Sequence, residues 1–156
     1  MKYILRKHTF SPHMSVYDSD GVRRFFVKGN WFNPLRTRYL LFDDTGQALI
    51  SIVQDHTVAK ASYAIYENDV RLGSAGTNGL GTRGFIDIPG IGRVEMELGH
   101  GFKKSFSLAG PEGILAQVVL KRTWSLAWSI EVLKDCNPIH LIAGLAAVFG
   151  EYLRRG

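Results

Sequence analysis

The sequence predicts an all-β domain, a barrel or a sandwich, that closes with a single buried helix. Residues 1–135 contain short runs in which apolar and polar side chains alternate, separated by turn signals, and this period of two is typical of strands. The last twenty residues instead form one apolar stretch that starts with helix-capping residues. The chain has 156 residues and is most simply one domain over 1–156, with strands over 1–135 and a central helix over 138–154.

Strands are predicted where the alternating runs are bounded by Gly, Asp, Asn or Pro, and there are about twelve such runs. They are predicted near residues 2–6, 14–17, 23–28, 37–42, 47–54, 61–66, 70–74, 84–88, 92–98, 103–109, 113–122 and 125–133. Several turns recur about every 24 residues, which indicates a meander of hairpins and not a solenoid. In two of them an Asp can cap the turn through its side chain and a Gly can supply the positive φ, as in Asp18 with Gly21 and Asp43 with Gly46.

Matching aromatic residues precede three of these turns. They are Tyr17, Phe42 and Tyr66. Repetition at equivalent positions is more typical of a structural core than of a row of stacking platforms for bases. Together with the absence of a nucleic-acid-binding motif, this pattern predicts no nucleic-acid partner.

The terminal stretch is predicted to be a core helix and not a membrane anchor. Asn137 is a good N-cap, and Pro138 occupies the first helical position, where proline is tolerated. Residues 139–150 are apolar on nearly every side, but the run would be only about 18 Å long, against roughly 30 Å for a bilayer core. We therefore expect no transmembrane span. His140 is expected to hydrogen-bond a backbone group of the barrel, and a stripe of small residues around Gly144 would allow close approach of the barrel wall.

Residues 73–92 are rich in glycine and are predicted to be a mobile, long hairpin loop. Residues 79–84 match the pattern G-x-G-x-x-G, which binds a dinucleotide only when a strand precedes it and a helix follows. Residues 85–89 are strand-like and end in proline, so the nucleotide interpretation is rejected.

Composition excludes several classes of protein. The single cysteine, Cys136, excludes an internal disulfide and is typical of a reducing, cytoplasmic compartment; the first eight residues lack the apolar run of a signal peptide. The five histidines show no metal-binding spacing, and no catalytic motif is present, so no metal, no cofactor and no enzymatic activity are expected. Cys136 precedes a helix N-terminus, which can lower a thiol pKa, but no residue pattern supplies a base for it.

Basic residues are the remaining candidates for a site. The net charge is +5 and the pI is near 9.5, which permits anionic partners. Arg36 and Arg38 share a face if they lie on a strand, where they could clasp a phosphate, and Trp31 and Phe32 lie close by in sequence. Two more cations, Arg23 and Lys28, complete the candidate ligand-binding set. The alternative is that each basic cluster is simply the solvated outer face of a strand.

Several stretches together resemble a known family. They are residues 1–6 (MKYILR), 16–21 (VYDSDG), 25–29 (FFVKG), 42–46 (FDDTG) and 128–132 (WSIEV) ahead of the apolar helix. In these stretches the chain resembles the LURP-one-related family, which is similar to the tubby C-terminal domain and to phospholipid scramblases. The resemblance implies a closed barrel of twelve antiparallel strands around a central hydrophobic helix.

The resemblance also implies a class of ligand without placing it. Tubby relatives bind phosphoinositide headgroups, and scramblase relatives are associated with moving lipids across bilayers. This chain lacks the cysteine-rich stretch of the scramblases. The basic lipid site of tubby domains does not align with particular positions here, so no binding residue is transferred.

The expectation is therefore a cytoplasmic, non-enzymatic binding module for anionic phospholipid headgroups or a membrane surface, to which it would attach peripherally. Two alternatives remain open: a structural or protein-interaction scaffold with an unspecified protein partner, and a protein similar to the phospholipid scramblases.

Overall fold

The computed structural model describes residues 1–30, 37–55, 61–78, 80–99, 104–122 and 126–155, with residues 122, 154 and 155 described by their backbone alone. The described elements are β1 (Lys2–Lys7), β2 (Met14–Asp18), β3 (Arg23–Asn30), β4 (Arg38–Asp43), β5 (Ala48–Asp55), β6 (Ala61–Glu67), β7 (Val70–Thr77), β8 (Arg83–Ile88), β9 (Gly92–Glu97), β10 (Ser105–Gly110), β11 (Gly113–Arg122), β12 (Leu126–Val132) and α1 (Pro138–Arg155). Every predicted strand overlaps one of these strands, and the predicted helix is one residue shorter than α1.

The strands form one closed antiparallel barrel in which each strand pairs with its neighbours in sequence. Closure comes from β1 pairing with β12, where Lys2 is opposite Glu131 and Arg6 is opposite Ala127. The twelve-stranded barrel with one helix that the sequence predicted is confirmed. The β9–β10 seam differs from the others, because Ala109 opposite Glu95 is its one registered pair among the described residues.

The two rims of the barrel differ in their connections. Short turns join β2 to β3, β4 to β5, β6 to β7, β8 to β9 and β10 to β11 at one rim, and α1 begins there, so we call it the helix-start rim. The opposite rim, which α1 approaches at its C-terminus, is the helix-end rim. Contacts fix this direction: His140 Nε2 lies 3.2 Å from Glu67 at the end of β6, and the Tyr152 hydroxyl donates to the Gly99 carbonyl just beyond β9.

The helix-start turns confirm the predicted Asp and Gly chemistry. The Asp18 carboxylate accepts from the backbone N–H of Asp20 and of Val22, at 2.9 and 3.0 Å, and Gly21 has φ 78°. The turn at Asp43 is built the same way, with Gly46 at φ 88°. A side chain that satisfies the turn amides and a glycine that accepts the left-handed conformation together fix a tight hairpin.

α1 fills the barrel. Its side chains from Leu141 to Phe149 are fully buried, and Phe149 stacks on Trp128 with ring centroids 4.5 Å apart. Asn137 accepts from the Ile139 N–H at 3.0 Å, which confirms the predicted N-cap. No helix among the described residues is long and apolar enough to cross a bilayer. The buried position of α1 confirms that this helix belongs to the core.

Glycines bring α1 close to the wall, and the predicted close approach of the wall at Gly144 is confirmed. A Cβ added at Gly144 would lie 2.8 Å from Ile86 on β8, and one added at Gly84 would lie 2.7 Å from Val148 on α1. These glycines remove side-chain volume where helix and sheet touch.

The prediction of a mobile loop over residues 73–92 was wrong. Residues 70–77, 83–88 and 92–97 are strands β7, β8 and β9, and the turn after β7 is held by Asn78, whose side-chain oxygen accepts from the Thr82 N–H at 2.9 Å. The glycines here serve close packing: a Cβ on Gly73 or Gly76 would strike the backbone of a neighbouring strand. The residues that match G-x-G-x-x-G are followed by β8 and not by a helix, which agrees with the rejection of the nucleotide interpretation.

The placement of the repeated aromatics in the core was also wrong. Tyr17, Phe42 and Tyr66 are half-buried and lie outside the cluster of core side chains. Strand alternation explains this, because Val16, Leu41 and Ile65, each one residue earlier, are fully buried. The core aromatics are Tyr3, Tyr39, Tyr63, Phe106, Trp128 and Phe149.

Candidate functional site

Positive charge collects at the helix-end rim. Seven cations there, whose side chains the structure describes, lie within two residues of a strand end; they are Arg6, Lys7, Lys28, Arg38, Arg83, Lys104 and Lys121. Four described carboxylates lie at the same rim, and one of them, Glu151, is fully buried. The other three, Asp55, Glu95 and Glu97, each lie within 3.8 Å of an arginine. The exposed surface of this rim is therefore cationic.

The helix-start rim is acidic because its turns use carboxylates as caps. Its described carboxylates are Asp18, Asp20, Asp43, Asp44, Glu67, Asp69, Asp87, Glu112, Glu131 and Asp135. Several cations at this rim are held by these groups: Arg24 lies 2.7 Å from Asp18, and Arg93 lies 3.5 Å from Asp87. The barrel thus has a basic rim and an acidic rim, which the order of charges along the sequence does not reveal.

Two of the predicted site residues lie together. Lys28 is opposite Leu40, and Arg38 is opposite Asn30 on the same strand pair, so the two cations are diagonal neighbours on the outer face of β3 and β4. Both side chains are exposed, and no described carboxylate lies within ion-pair distance of either. Arg36 lies outside the described residues, as do Trp31 and Phe32, so the predicted pairing of Arg36 with Arg38 stays a prediction.

Arg23 belongs to a different group. Its guanidinium carbon lies 5.5 Å from the centre of the Phe26 ring, and the rings of His8 and His13 each lie 5.7 Å from the same ring. We call His8, His13, Arg23 and Phe26 the Phe26 cluster. It lies on the outer face of β1, β2 and β3, where Ser15 is opposite both Arg6 and Phe26.

The Phe26 cluster holds basic groups next to one another. His8 Nε2 lies 2.7 Å from the Ser15 hydroxyl. Partial burial lowers the pKa of His8, and the nearby His13, Arg23 and Lys7 lower it further. A second hydrogen bond fixes His13, whose Nδ1 accepts from the Gly29 N–H at 3.2 Å. The neutral His13 ring therefore carries its proton on Nε2, where it is a donor.

Two large apolar side chains project from the same rim. Phe10, in the connection between β1 and β2, is 100% exposed, and Leu80, in the turn between β7 and β8, is 83% exposed. These are the highest exposures among the large apolar residues of the described chain; the next, Val70 at 63%, is at the helix-start rim. Exposed apolar tips beside cations are the arrangement that the sequence had placed at Trp31 and Phe32.

Other polar groups lie inside the barrel or at its helix-start rim. The Tyr63 hydroxyl donates to the buried Glu151 carboxylate at 2.6 Å. The expected backbone partner of His140 was wrong, because its ring meets the Glu67 side chain instead. Burial raises the pKa of the Cys136 thiol, with Asp135 adding to the rise, which is opposite to the shift that would activate a nucleophile. No group of three metal-ligating side chains lies together in the described ranges.

Sequence reasoning missed His8, His13 and Phe10. The two histidines begin and end the connection from His8 to His13, and the His8 N–H donates to the His13 carbonyl at 2.9 Å. Their spacing around a Pro-containing turn is a signal of a hairpin connection, but only the pairing of β2 with β3 brings Phe26 between them.

These features define a class of protein: a helix-filled, closed β-barrel whose one rim is basic and carries exposed apolar tips. Comparison with protein families finds a match over residues 1–150 to LURP-one-related proteins. The chain belongs to the LURP-one-related family. Comparison with curated proteins and with solved structures finds no match in either set.

Proposed function

We propose that the protein is a non-enzymatic binding module for anionic phospholipid surfaces, which it contacts through the helix-end rim. The observation that carries this proposal is the separation of charge between the rims, with exposed cations at one and turn carboxylates at the other. An anionic surface attracts the first rim and repels the second, so the charges select one orientation of the barrel.

The expected strength follows from the number of cations. Each Lys or Arg near an anionic membrane surface contributes about 1 kcal/mol, and this contribution is screened by salt. Lys28 and Arg38, as diagonal neighbours, can contact one phosphate from two sides. The resemblance of the family to tubby domains, which bind phosphoinositides, is consistent with this class of ligand.

A protein-interaction scaffold is the second candidate, and the β9–β10 seam favours it. A groove lies over this seam, lined by Arg83, Glu95, Glu97, Ser105 and Ser107, where the two strands share one registered pair among the described residues. An extended peptide could add its backbone to such an edge. Stoichiometric co-purification of a protein, lost when Ser107 is changed to Pro, would favour this candidate over lipid binding.

Co-sedimentation with vesicles tests the lipid proposal. Phosphatidylcholine vesicles with and without phosphatidylserine are compared at low and high salt, and we expect binding only to the anionic vesicles and loss of that binding with salt. The double variant Lys28→Glu with Arg38→Glu should bind at least about thirtyfold more weakly. Lys2→Glu with Lys134→Glu makes the same charge change at the helix-start rim and should bind as the unmodified protein does.

Equal binding of the unmodified protein to neutral and anionic vesicles at low salt would remove the proposal. Equal loss of binding in both double variants would show that net charge acts and not the helix-end rim.

A further inference from the structure

The connection between β1 and β2 presents an aromatic tip on a fixed base. It runs from His8 to His13, and the backbone bond between these two residues closes it at 2.9 Å. Pro12 is buried, and its Cβ would lie 2.8 Å from a Cβ added at Gly29. The tip residue Phe10 is fully exposed and has φ 61°.

The exposed ring and the left-handed backbone of Phe10 are both unfavourable while the protein is free in water. A phenyl ring is usually buried, and a residue with a Cβ rarely adopts the left-handed conformation. The tip nevertheless rests on a packed proline and on a histidine anchored to β3. An exposed aromatic ring that is held outward in this way is suited to burial in the apolar layer of a membrane.

The side chains at the base of the β1–β2 connection suit the binding of an anion. The charged and titratable groups that face His8 are Lys7 on β1, His13 in the connection and Arg23 on β3. No described carboxylate lies within ion-pair distance of either histidine ring of the cluster. A phosphate here would receive the Nε2 hydrogen of His13 and would favour the charged form of His8, because an opposite charge within about 4–6 Å stabilises that form.

We propose that the β1–β2 connection is the membrane-inserting element of this protein: the Phe10 ring enters the lipid, and a lipid phosphate is bound at His8 and His13 with uptake of a proton by His8. This inference rests on the proposed function and names the part of the helix-end rim that enters the bilayer. The sign of its pH dependence is fixed, since binding that takes up a proton strengthens as pH falls.

The first test is insertion. Phe10→Ala should weaken binding to phosphatidylcholine vesicles containing phosphatidylserine by about tenfold to a hundredfold, because it removes the burial of one phenyl ring. Phe10→Trp should bind these vesicles about as well as the unmodified protein does. The fluorescence of the added tryptophan should be quenched by lipids brominated in their acyl chains. Val70→Ala is the matched control, since Val70 is exposed at the opposite rim.

The second test is proton uptake. The affinity of the unmodified protein for the same vesicles should rise between about pH 8 and about pH 5, the range in which histidine changes charge. His8→Gln should flatten that rise. Soluble glycerol phosphate should compete weakly, because it offers the phosphate without a phase for Phe10.

The outcomes separate the two proposals. Absence of any preference for anionic vesicles in the unmodified protein would remove the proposed function itself. Preference for anionic vesicles with equal binding by Phe10→Ala and Val70→Ala would overturn insertion alone, as would full competition by glycerol phosphate. A pH profile that is flat, or that His8→Gln leaves unchanged, would overturn the proton uptake.

Discussion

Gly144 offers the sharpest test of how α1 fits its barrel. A Cβ at this position would lie 2.8 Å from Cδ1 and from Cγ2 of Ile86, and 2.9 Å from Cγ1. Cδ1 is the end of a side chain and can move, but Cγ1 and Cγ2 are attached directly to Cβ of a residue inside a paired strand. Either β8 or α1 must therefore shift when Gly144 is changed to Ala.

Two opposing terms set the size of the effect. Overfilling a packed core costs about 1–3 kcal/mol. Replacing a mid-helix glycine with alanine stabilises the helix by about 1 kcal/mol. Gly144→Ala should therefore destabilise the protein by up to about 2 kcal/mol. Gly144→Leu adds volume that the site cannot hold and should be severely destabilising.

A double-mutant cycle with Ile86→Ala isolates the contact. Removing the Ile86 methyl groups alone should cost about 2–5 kcal/mol through the cavity it leaves. In that background the added Cβ meets space, so Gly144→Ala should become stabilising by about 1 kcal/mol. The measurement is urea unfolding followed by tryptophan fluorescence, which reports on the buried Trp128 beside Phe149.

If Gly144 contacts Ile86 as described, Gly144→Ala must be destabilising in the unmodified protein and stabilising in the Ile86→Ala background. Gly46→Ala is the matched control, because Gly46 has φ 88° and nothing within 4 Å of its added Cβ. Its cost comes from backbone strain and should be the same in both backgrounds. A Gly144→Ala variant whose destabilisation is also unaffected by Ile86→Ala would refute the proposed contact.

Two further predictions concern polar groups. Tyr63→Phe removes the hydroxyl that donates to the buried Glu151 carboxylate, and it should lower the free energy of unfolding by about 1–3 kcal/mol; an unchanged urea midpoint would contradict this. The pKa of Asp18 is lowered by its hydrogen bond from Arg24 and then by the Val22 N–H, so its stabilising contribution is present above the unfolded pKa and is lost as pH falls through the lower folded pKa. Asp18→Asn should therefore reduce stability at neutral pH, and the urea midpoints of the two proteins should converge only in acid below about pH 4. A difference between the midpoints that stays constant as the pH is lowered well below that value would contradict the assignment.

The strands and the helix were predictable because their signals are local. Alternation located every strand of the described residues, and Asp18 with Gly21 marked a turn that forms as expected. The error over residues 73–92 has a physical reason: glycine composition alone does not distinguish a flexible segment from a strand whose side chains have been removed to admit a neighbour. Gly84 faces Val148 across a separation of more than sixty residues, and no local pattern carries that information.

The site was predicted in part, for a related reason. Alternation places Lys28 and Arg38 on the outer face, and the sequence does identify both as candidates. The Phe26 cluster could not be predicted, because it needs the register that puts Ser15 beside Phe26. Register in a meander depends on bulges, such as the one between Val16 and Tyr17, which the sequence does not mark.

The position of the core helix after all the strands has a consequence for synthesis. A ribosome makes the chain from its N-terminus, so β1 can pair with β12 and close the barrel only after Glu131 has been made. The core helix α1, which begins at Pro138, is made later still. Until then, the inward side chains that pack against α1 lack this partner. Apolar surface that stays exposed during synthesis is in general prone to aggregation. The barrel can therefore close only after β12 has been made, and its core is complete only when α1 has joined it.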